Sequence, residues 1–205
     1  MDGRKRLHVA AVVLVAVAAV AAGAILLRVA WLAIYGRPSA PTAAGEPLFR
    51  LPGGKTLVAV VEESDGGRTA VTRLAEGRLA ELAAARGLGA EVVPPERLTA
   101  YRAGAPDYGR LSVIEIGRGV GADLVVYAVV QLTPAAGGGT VLTARVRVVS
   151  QGGRLWPEDL LGHRVSVTTP RRPGQLKSPD AAAGPAADLA EAVADCFGPA
   201  RASAK

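Results

Sequence analysis

The sequence predicts an α/β protein: an N-terminal transmembrane helix, then one domain in which three to four helices pack on a mixed β-sheet of about five strands. Three observations predict it. Residues 9–27 run without a charge or a proline. Between residues 56 and 132, short apolar stretches rich in β-branched residues alternate with stretches of helical period. Such alternation marks β-α-β units and parallel pairing, whereas the strict period-two stretch at 140–149 marks an antiparallel strand with one wet face.

The anchor comes first. A helix rises ~1.5 Å per residue, so roughly 20 apolar residues cross a ~30 Å hydrocarbon core. Only a helix satisfies its backbone polar groups within its own segment, as lipid requires. The run from Val9 through Leu14, Leu26 and Leu27 is interrupted by Arg28 and continues to Trp31 and Tyr35. Arg28 can snorkel, and the two aromatic residues stand where an interfacial belt would lie. Arg4, Lys5 and Arg6 precede the run. The positive-inside rule therefore leaves residues 1–8 in the cytoplasm, residues 9–35 as a single pass through the inner membrane, and the rest in the periplasm. The alternative is a cleaved secretory signal, whose apolar core is normally ~7–15 residues long. This run is longer, and the first small-residue site beyond it, Pro38-Ser39-Ala40, is followed by Pro41.

Beyond residue 35 the chain carries 20 basic and 17 acidic side chains, with the signs interspersed. That is no nucleic-acid footprint, which needs clustered Lys and Arg on one face. Cys196 is the sole cysteine. It excludes an intramolecular disulfide and a cysteine-based zinc site, and no cysteine follows the anchor to accept a lipid.

Residues 36–54 are rich in Pro and Gly and read as a tether, with Phe49 and Leu51 able to touch the domain that spans 55–198. Thr56–Val61 is a continuous β-branched run, the mark of a strand buried on both faces. Ala70–Arg86 has helical period, with Val71, Leu74, Arg78, Leu79, Leu82 and Ala85 on one stripe, Thr69 as N-cap, and Glu76–Arg73 and Arg78–Glu81 on the wet face. Gly87 and Gly89 end it. Residues 90–93 form a short strand stopped by Pro94-Pro95, and Pro95 opens a helix to Arg102. Ser112 and Glu115 spell a capping box for a helix over 113–120. Leu124–Leu132 is the longest apolar strand outside the membrane. In the next, Val141, Thr143, Arg145 and Arg147 alternate with Leu142, Ala144, Val146 and Val148. Residues 154–156 make a brief strand, and 164–168 an edge strand. A Pro-rich basic loop at 169–180 leads to a last helix over 181–197. There Gly184-Pro185 delays or splits the start, and Leu189, Val193 and Phe197 share a face. Residues 199–205 read as a frayed tail.

The stretches TLVAVV (56–61), LAEGRLAELAAARG (74–87), EVVPPERL (91–98) and IGRGVGADLVVYAVVQL (116–132) give residues 55–168 a resemblance to envelope-associated α/β domains: the N-terminal domain of TolB and the CsgG-like secretion and lipoprotein families. The same wording looks like a set of membrane-anchored bacterial proteins that are usually lipoproteins. This chain departs from them in lacking the lipid-accepting cysteine. The resemblance implies an envelope location and protein–protein contacts, with no catalysis attached to the domain.

No motif names a reaction. Gly117-Arg-Gly-Val-Gly121 closes a helix and precedes a strand, the reverse of a dinucleotide loop. Gly53-Gly-Lys-Thr56 precedes a strand where a phosphate loop must follow one. Glu62, Glu63 and Asp65 stand at the carboxyl end of the first long strand, where α/β sheets place ligands. Three acids there could bind a cation, but a solvated turn is the commoner cause of such a cluster. His163 has Ser166 and Cys196 as conceivable nucleophiles, but no spacing joins them. Cys196 beside Phe197 reads as a buried small hydrophobe. Arg145, Arg147 and Arg164 align as a basic stripe, for an acidic partner or lipid headgroups, or simply as a wet strand face. The expectation is a non-catalytic binding or assembly module in the envelope, with the bilayer and an envelope protein as partners and no cofactor or metal. The alternative is a membrane-tethered hydrolase or small-ligand enzyme using the acids after the first strand, or His163.

Overall fold

The computed structural model describes residues 47–65 and 67–201. Its elements run β1 (Phe49–Pro52), β2 (Thr56–Glu63), α1 (Ala70–Ala85), β3 (Glu91–Val92), α2 (Pro95–Gly104), α3 (Val113–Val120), β4 (Leu124–Pro134), β5 (Thr140–Ser150), β6 (Gly153–Trp156), β7 (His163–Thr169), α4 (Pro179–Ala194) and β8 (Phe197–Arg201). Single 3-10 turns lie at Tyr108–Arg110 and Gln175–Lys177. Among the described residues no helix is long and apolar enough to cross a membrane. The expected span at 9–35, with Val9, Leu14, Leu26, Leu27, Trp31 and Tyr35, and the topology residues Arg4, Lys5 and Arg6, lie outside the described residues.

The main sheet is mixed, as the alternation predicts. β2 pairs in parallel with β3 on one side and β4 on the other, and β4 pairs antiparallel with β5 from Leu124↔Ser150 to Pro134↔Thr140. The outer edge of β5 is shared by β7, along 140–146, and β6, along 148–150. A strand buried on both faces needs cover on both, and four helices supply it. Leu57, Ala59 and Val61 of β2 share one core with Val71, Ala75 and Leu79 of α1 and with Ala186, Leu189 and Val193 of α4. Val58 and Val60 point the other way, into a smaller core with Leu98 of α2 and Ile116 and Val120 of α3. On β5, Leu142, Ala144, Val146 and Val148 are all fully buried while Val141, Thr143, Arg145 and Arg147 between them are partly exposed, as period two requires.

The capping box at α3 forms as expected. The Ser112 hydroxyl accepts from the Glu115 backbone N–H, and the Glu115 carboxylate accepts from the Ser112 N–H. Ser112→Ala is expected to cost about 1 kcal/mol, read as a lowered midpoint in thermal unfolding.

Several expectations change. Four residues of the expected tether, Phe49–Pro52, form β1, and part of the expected tail belongs to β8. The two pair in parallel, Phe49 against Phe197, and Leu51 is fully buried. The last helix runs unbroken from Pro179 to Ala194 with Pro185 inside it. Pro185 loses one helical hydrogen bond, but it is buried in the face formed by Ala182, Ala186 and Leu189, and that packing offsets the loss. Phe197 therefore belongs to a strand, not to the helical stripe. Thr69 precedes α1 without a side-chain capping bond. On α1 the buried stripe is Val71, Ala75, Leu79 and Leu82, while Leu74 is 38 % exposed and Arg78 faces solvent in an ion pair with Glu81 (2.9 Å). Glu76, expected on the wet face with Arg73, is 2 % exposed. Its partners define the site below.

Candidate functional site: a buried carboxylate–arginine network

β3 is two residues long because Pro94 and Pro95 end it, the second of them opening α2. Val93 still donates to the Leu57 carbonyl, but further along β2 this side has no strand partner. The Val61 N–H therefore needs another acceptor, and the Glu76 carboxylate of α1 provides it at 3.0 Å. A buried carboxylate must in turn be neutralised and hydrogen-bonded. Arg102, on α2, reaches back with both terminal nitrogens (2.7 and 2.8 Å), and Arg68, in the turn after β2, adds a third bond at 2.6 Å.

Glu62 stands one residue further along β2, on the opposite face. Its two oxygens accept from the hydroxyls of Tyr108 (2.9 Å) and Tyr127 (3.0 Å), and Arg102 lies 3.7 Å away. The Arg102 guanidinium also sits over the Tyr108 ring, 5.2 Å from its centroid. Two carboxylates and two guanidiniums thus join β2, α1, α2, β4 and the turn before α3.

Burial pushes the Tyr127 phenol up from 10.0 to about 12, with the Glu62 charge adding to the shift. Tyr108 rises for the same two reasons. Burial alone would lower the Arg102 guanidinium, but the hydrogen bonds and charge of Glu76 raise it on balance. For Arg68, burial lowers the guanidinium and Glu76 only partly compensates. Both phenols stay protonated and keep donating to Glu62 across the neutral range. A raised folded pKa holds its stability below the unfolded value and loses it as pH rises to the folded one. Titration is expected to show Tyr127 ionising, by phenolate absorbance, only near 12 in the folded chain, with stability falling between 10.0 and about 12. Phenolate absorbance complete near 10 in the folded protein would contradict the buried hydrogen bond.

The three acids at the end of β2 all take hydrogen bonds from the domain itself, Glu62 through both oxygens and Glu63 and Asp65 through one oxygen each. Glu62 is spent on the two tyrosines, Glu63 accepts from the Thr69 N–H (2.8 Å), and Asp65 accepts from the Gly67 N–H (2.9 Å). Among the described residues no group of three or more His, Cys, Asp or Glu can hold a metal ion. His163 meets the Trp156 ring, centroids 5.2 Å apart, and burial lowers its pKa. Ser166 is drawn instead to Thr143 (3.3 Å), and Cys196, 4 % exposed, donates to the Ala192 carbonyl (3.5 Å). Burial lifts the Cys196 thiol to about 12. Arg145 and Arg164 are register partners across β5 and β7, with Arg147 two residues along on β5. The glycines of 117–121 act as helix punctuation: Gly121 ends α3 at φ +72°, and a Cβ on Gly117 would meet Val125 at 2.7 Å. Residues 53–55 form the turn between β1 and β2, and Thr56 opens β2. Asp123 links β4 to β2, its carboxylate accepting from the Thr56 N–H (3.0 Å).

Sequence reasoning found Glu62 and missed Glu76, Arg68, Arg102, Tyr108 and Tyr127. One signal was available for Glu76, which lies three residues before Leu79 and four before Ala80, on the buried side of α1.

No family model matches the sequence, and no curated protein matches it. Among solved structures the chain is similar to the PelC dodecamer from Paraburkholderia phytofirmans, at 16% identity and a TM-score of 0.41 over 78% of this chain and 96% of that one. A variant PelC dodecamer from the same organism matches at 18% identity and 0.40, covering 75% and 95%. Lipoprotein GNA1162 from Neisseria meningitidis matches at 20% identity and 0.34, covering 58% and 81%. Likenesses this distant carry no argument about what the chain does.

Proposed function

We propose that the chain is a single-pass membrane-anchored protein whose α/β domain serves in the envelope as a non-catalytic binding or assembly module of the kind its resemblance to TolB N-terminal and CsgG-like domains implies. One observation carries the non-catalytic part. Glu62, the acid at the carboxyl end of β2 where an α/β enzyme would present its general base, has both oxygens held by the Tyr108 and Tyr127 hydroxyls, and Glu63 and Asp65 each accept one backbone N–H. A general base needs a lone pair within reach of a substrate proton. The network reads instead as a tie that holds α1 and α2 to the sheet. The apolar run at 9–27 supports the anchor.

Two measurements test this reading. In intact cells with a permeabilised outer membrane, a membrane-impermeant maleimide is expected to label Ser203→Cys, while Cys196, buried and with its thiol lifted to about 12, stays unlabelled in the folded chain. Labelling of Ser203→Cys only after lysis would put the domain in the cytoplasm and end the envelope reading. Glu63→Ala, Asp65→Ala and His163→Ala, combined, are expected to leave the chain's cellular phenotype intact. Loss of the phenotype with the fold preserved would favour the hydrolase alternative.

A further inference from the structure

The β5–β7 pair has two unlike faces. Leu142, Ala144 and Val146 of β5 lie in the main core, and Val165 and Val167 of β7 pack against it. On the other face stand Thr143, Arg145 and Arg147 of β5 with Arg164, Ser166 and Thr168 of β7, all half-buried or exposed and members of neither core. Arg145 and Arg164 are register partners there, with Arg147 two residues along. Like charges directly opposite one another destabilise a sheet. The one carboxylate that β2, β4, β5 and β7 put on this face is Glu62, two strands from Arg145 and already held by Tyr108 and Tyr127. The face is therefore positive and short of acid.

β7 is also an edge. It pairs with β5 along all seven of its residues, His163 to Thr169, without a register shift, and with no other strand among the described residues. It has no proline and no bulge, two devices that blunt edges, so its outer N–H and C=O groups are a template for another strand.

We propose that β7 docks an extended acidic segment of another protein, which alternates apolar with acidic residues and adds to the sheet as a further strand. The inference deepens the binding-module reading above and rests on it. Side chains of an added strand alternate between the faces as those of β7 do. On one face they extend the layer of Val165 and Val167, which favours apolar residues. On the other they stand beside Arg164, one strand spacing of about 4.8 Å away, with Arg145 a strand further, which favours carboxylates. Main-chain bonds along the edge supply affinity, and the alternate side chains supply specificity. A second copy of this chain brings the same arginines to the same face, and a phosphate or sulfate polymer has no peptide groups to pair with the edge.

The test uses the full chain in detergent micelles and fluorescein-labelled peptides matched in length to β7, read by fluorescence anisotropy. A peptide of alternating valine and glutamate is expected to bind at least about tenfold more tightly than one of alternating valine and lysine. The same valines and glutamates arranged in two blocks are expected to bind weakly, since only alternation sorts them between the faces. Arg145→Glu with Arg164→Glu is expected to reverse the preference, losing the glutamate peptide and gaining the lysine peptide, while the unfolding midpoint stays put. A misfolded variant would gain neither, so the reversal is not a structural side effect. No saturable binding of the glutamate peptide overturns the proposal, and so does equal binding of the alternating and blocked peptides, which is charge attraction without strand addition. Binding of heparin with none of the glutamate peptide overturns it in favour of a sulfate or phosphate polymer. Either failure leaves the envelope location to the maleimide experiment, whose own failure leaves the peptide preference standing.

Discussion

Glu76→Ala is expected to lower the stability of the domain by about 3–5 kcal/mol, because it leaves buried arginine charge without its counter-ion. The carboxylate is 2 % exposed and engages Arg102 twice, Arg68 once and the Val61 N–H. Removal strands Arg102, itself 9 % exposed, and leaves a strand N–H with no acceptor. Urea unfolding of residues 46–205, followed by far-UV circular dichroism, should show the midpoint falling with an unchanged slope. The double variant Glu76→Leu with Arg102→Met is expected to cost less than the two single changes added, since it removes both charges together. A Glu76→Ala cost under about 1 kcal/mol would mean that water solvates the network, a behaviour proper to surface ion pairs.

Leu79→Ala is expected to cost about 2–5 kcal/mol, and Leu74→Ala about 1 kcal/mol or less. Both leucines lie on α1 and both fall on the apolar stripe legible in the sequence. Leu79 is 2 % exposed in the main core, whereas Leu74 is 38 % exposed. Comparing the two unfolding midpoints tests how the helix is rotated on the sheet. Equal costs would place Leu74 in the core and return Glu76 to solvent, so this experiment and the first check one another.

The elements were largely legible because each has a local cause. Pro94-Pro95 ends β3, Ser112 and Glu115 open α3, Gly121 closes it, and the period of two in β5 separates Leu142 from Thr143. The rotation of α1 was less legible. A stripe through Leu74, Arg78 and Leu82 and one through Ala75, Leu79 and Leu82 differ by a fraction of a turn, and alanine is too small to weigh the choice. Pro185 misled for a related reason: its local cost is real, but burial against the sheet outweighs it.

The candidate site divides along the same line. Glu62 was visible as an acid at the end of a strand, because position in an α/β sheet follows from element order. Its tyrosine partners come from 46 and 65 residues away, and Arg102 reaches Glu76 from 26 away. No local pattern encodes such pairings.

The sequence by itself determined the order of elements from β2 to α4, the mixed pairing of the main sheet, the single free thiol, and an apolar run long enough to span a bilayer. These follow from periodicity, turn chemistry and composition, which act over a few residues. Only the tertiary structure decided that Phe49–Pro52 and Phe197–Arg201 pair, that Glu76 is buried, and that the acids after β2 are held by the domain's own donors. Each of those depends on which distant groups the packed sheet brings together. An unpaired N–H or a buried charge acquires its cost, and hence its partner, only once the surrounding water has been removed.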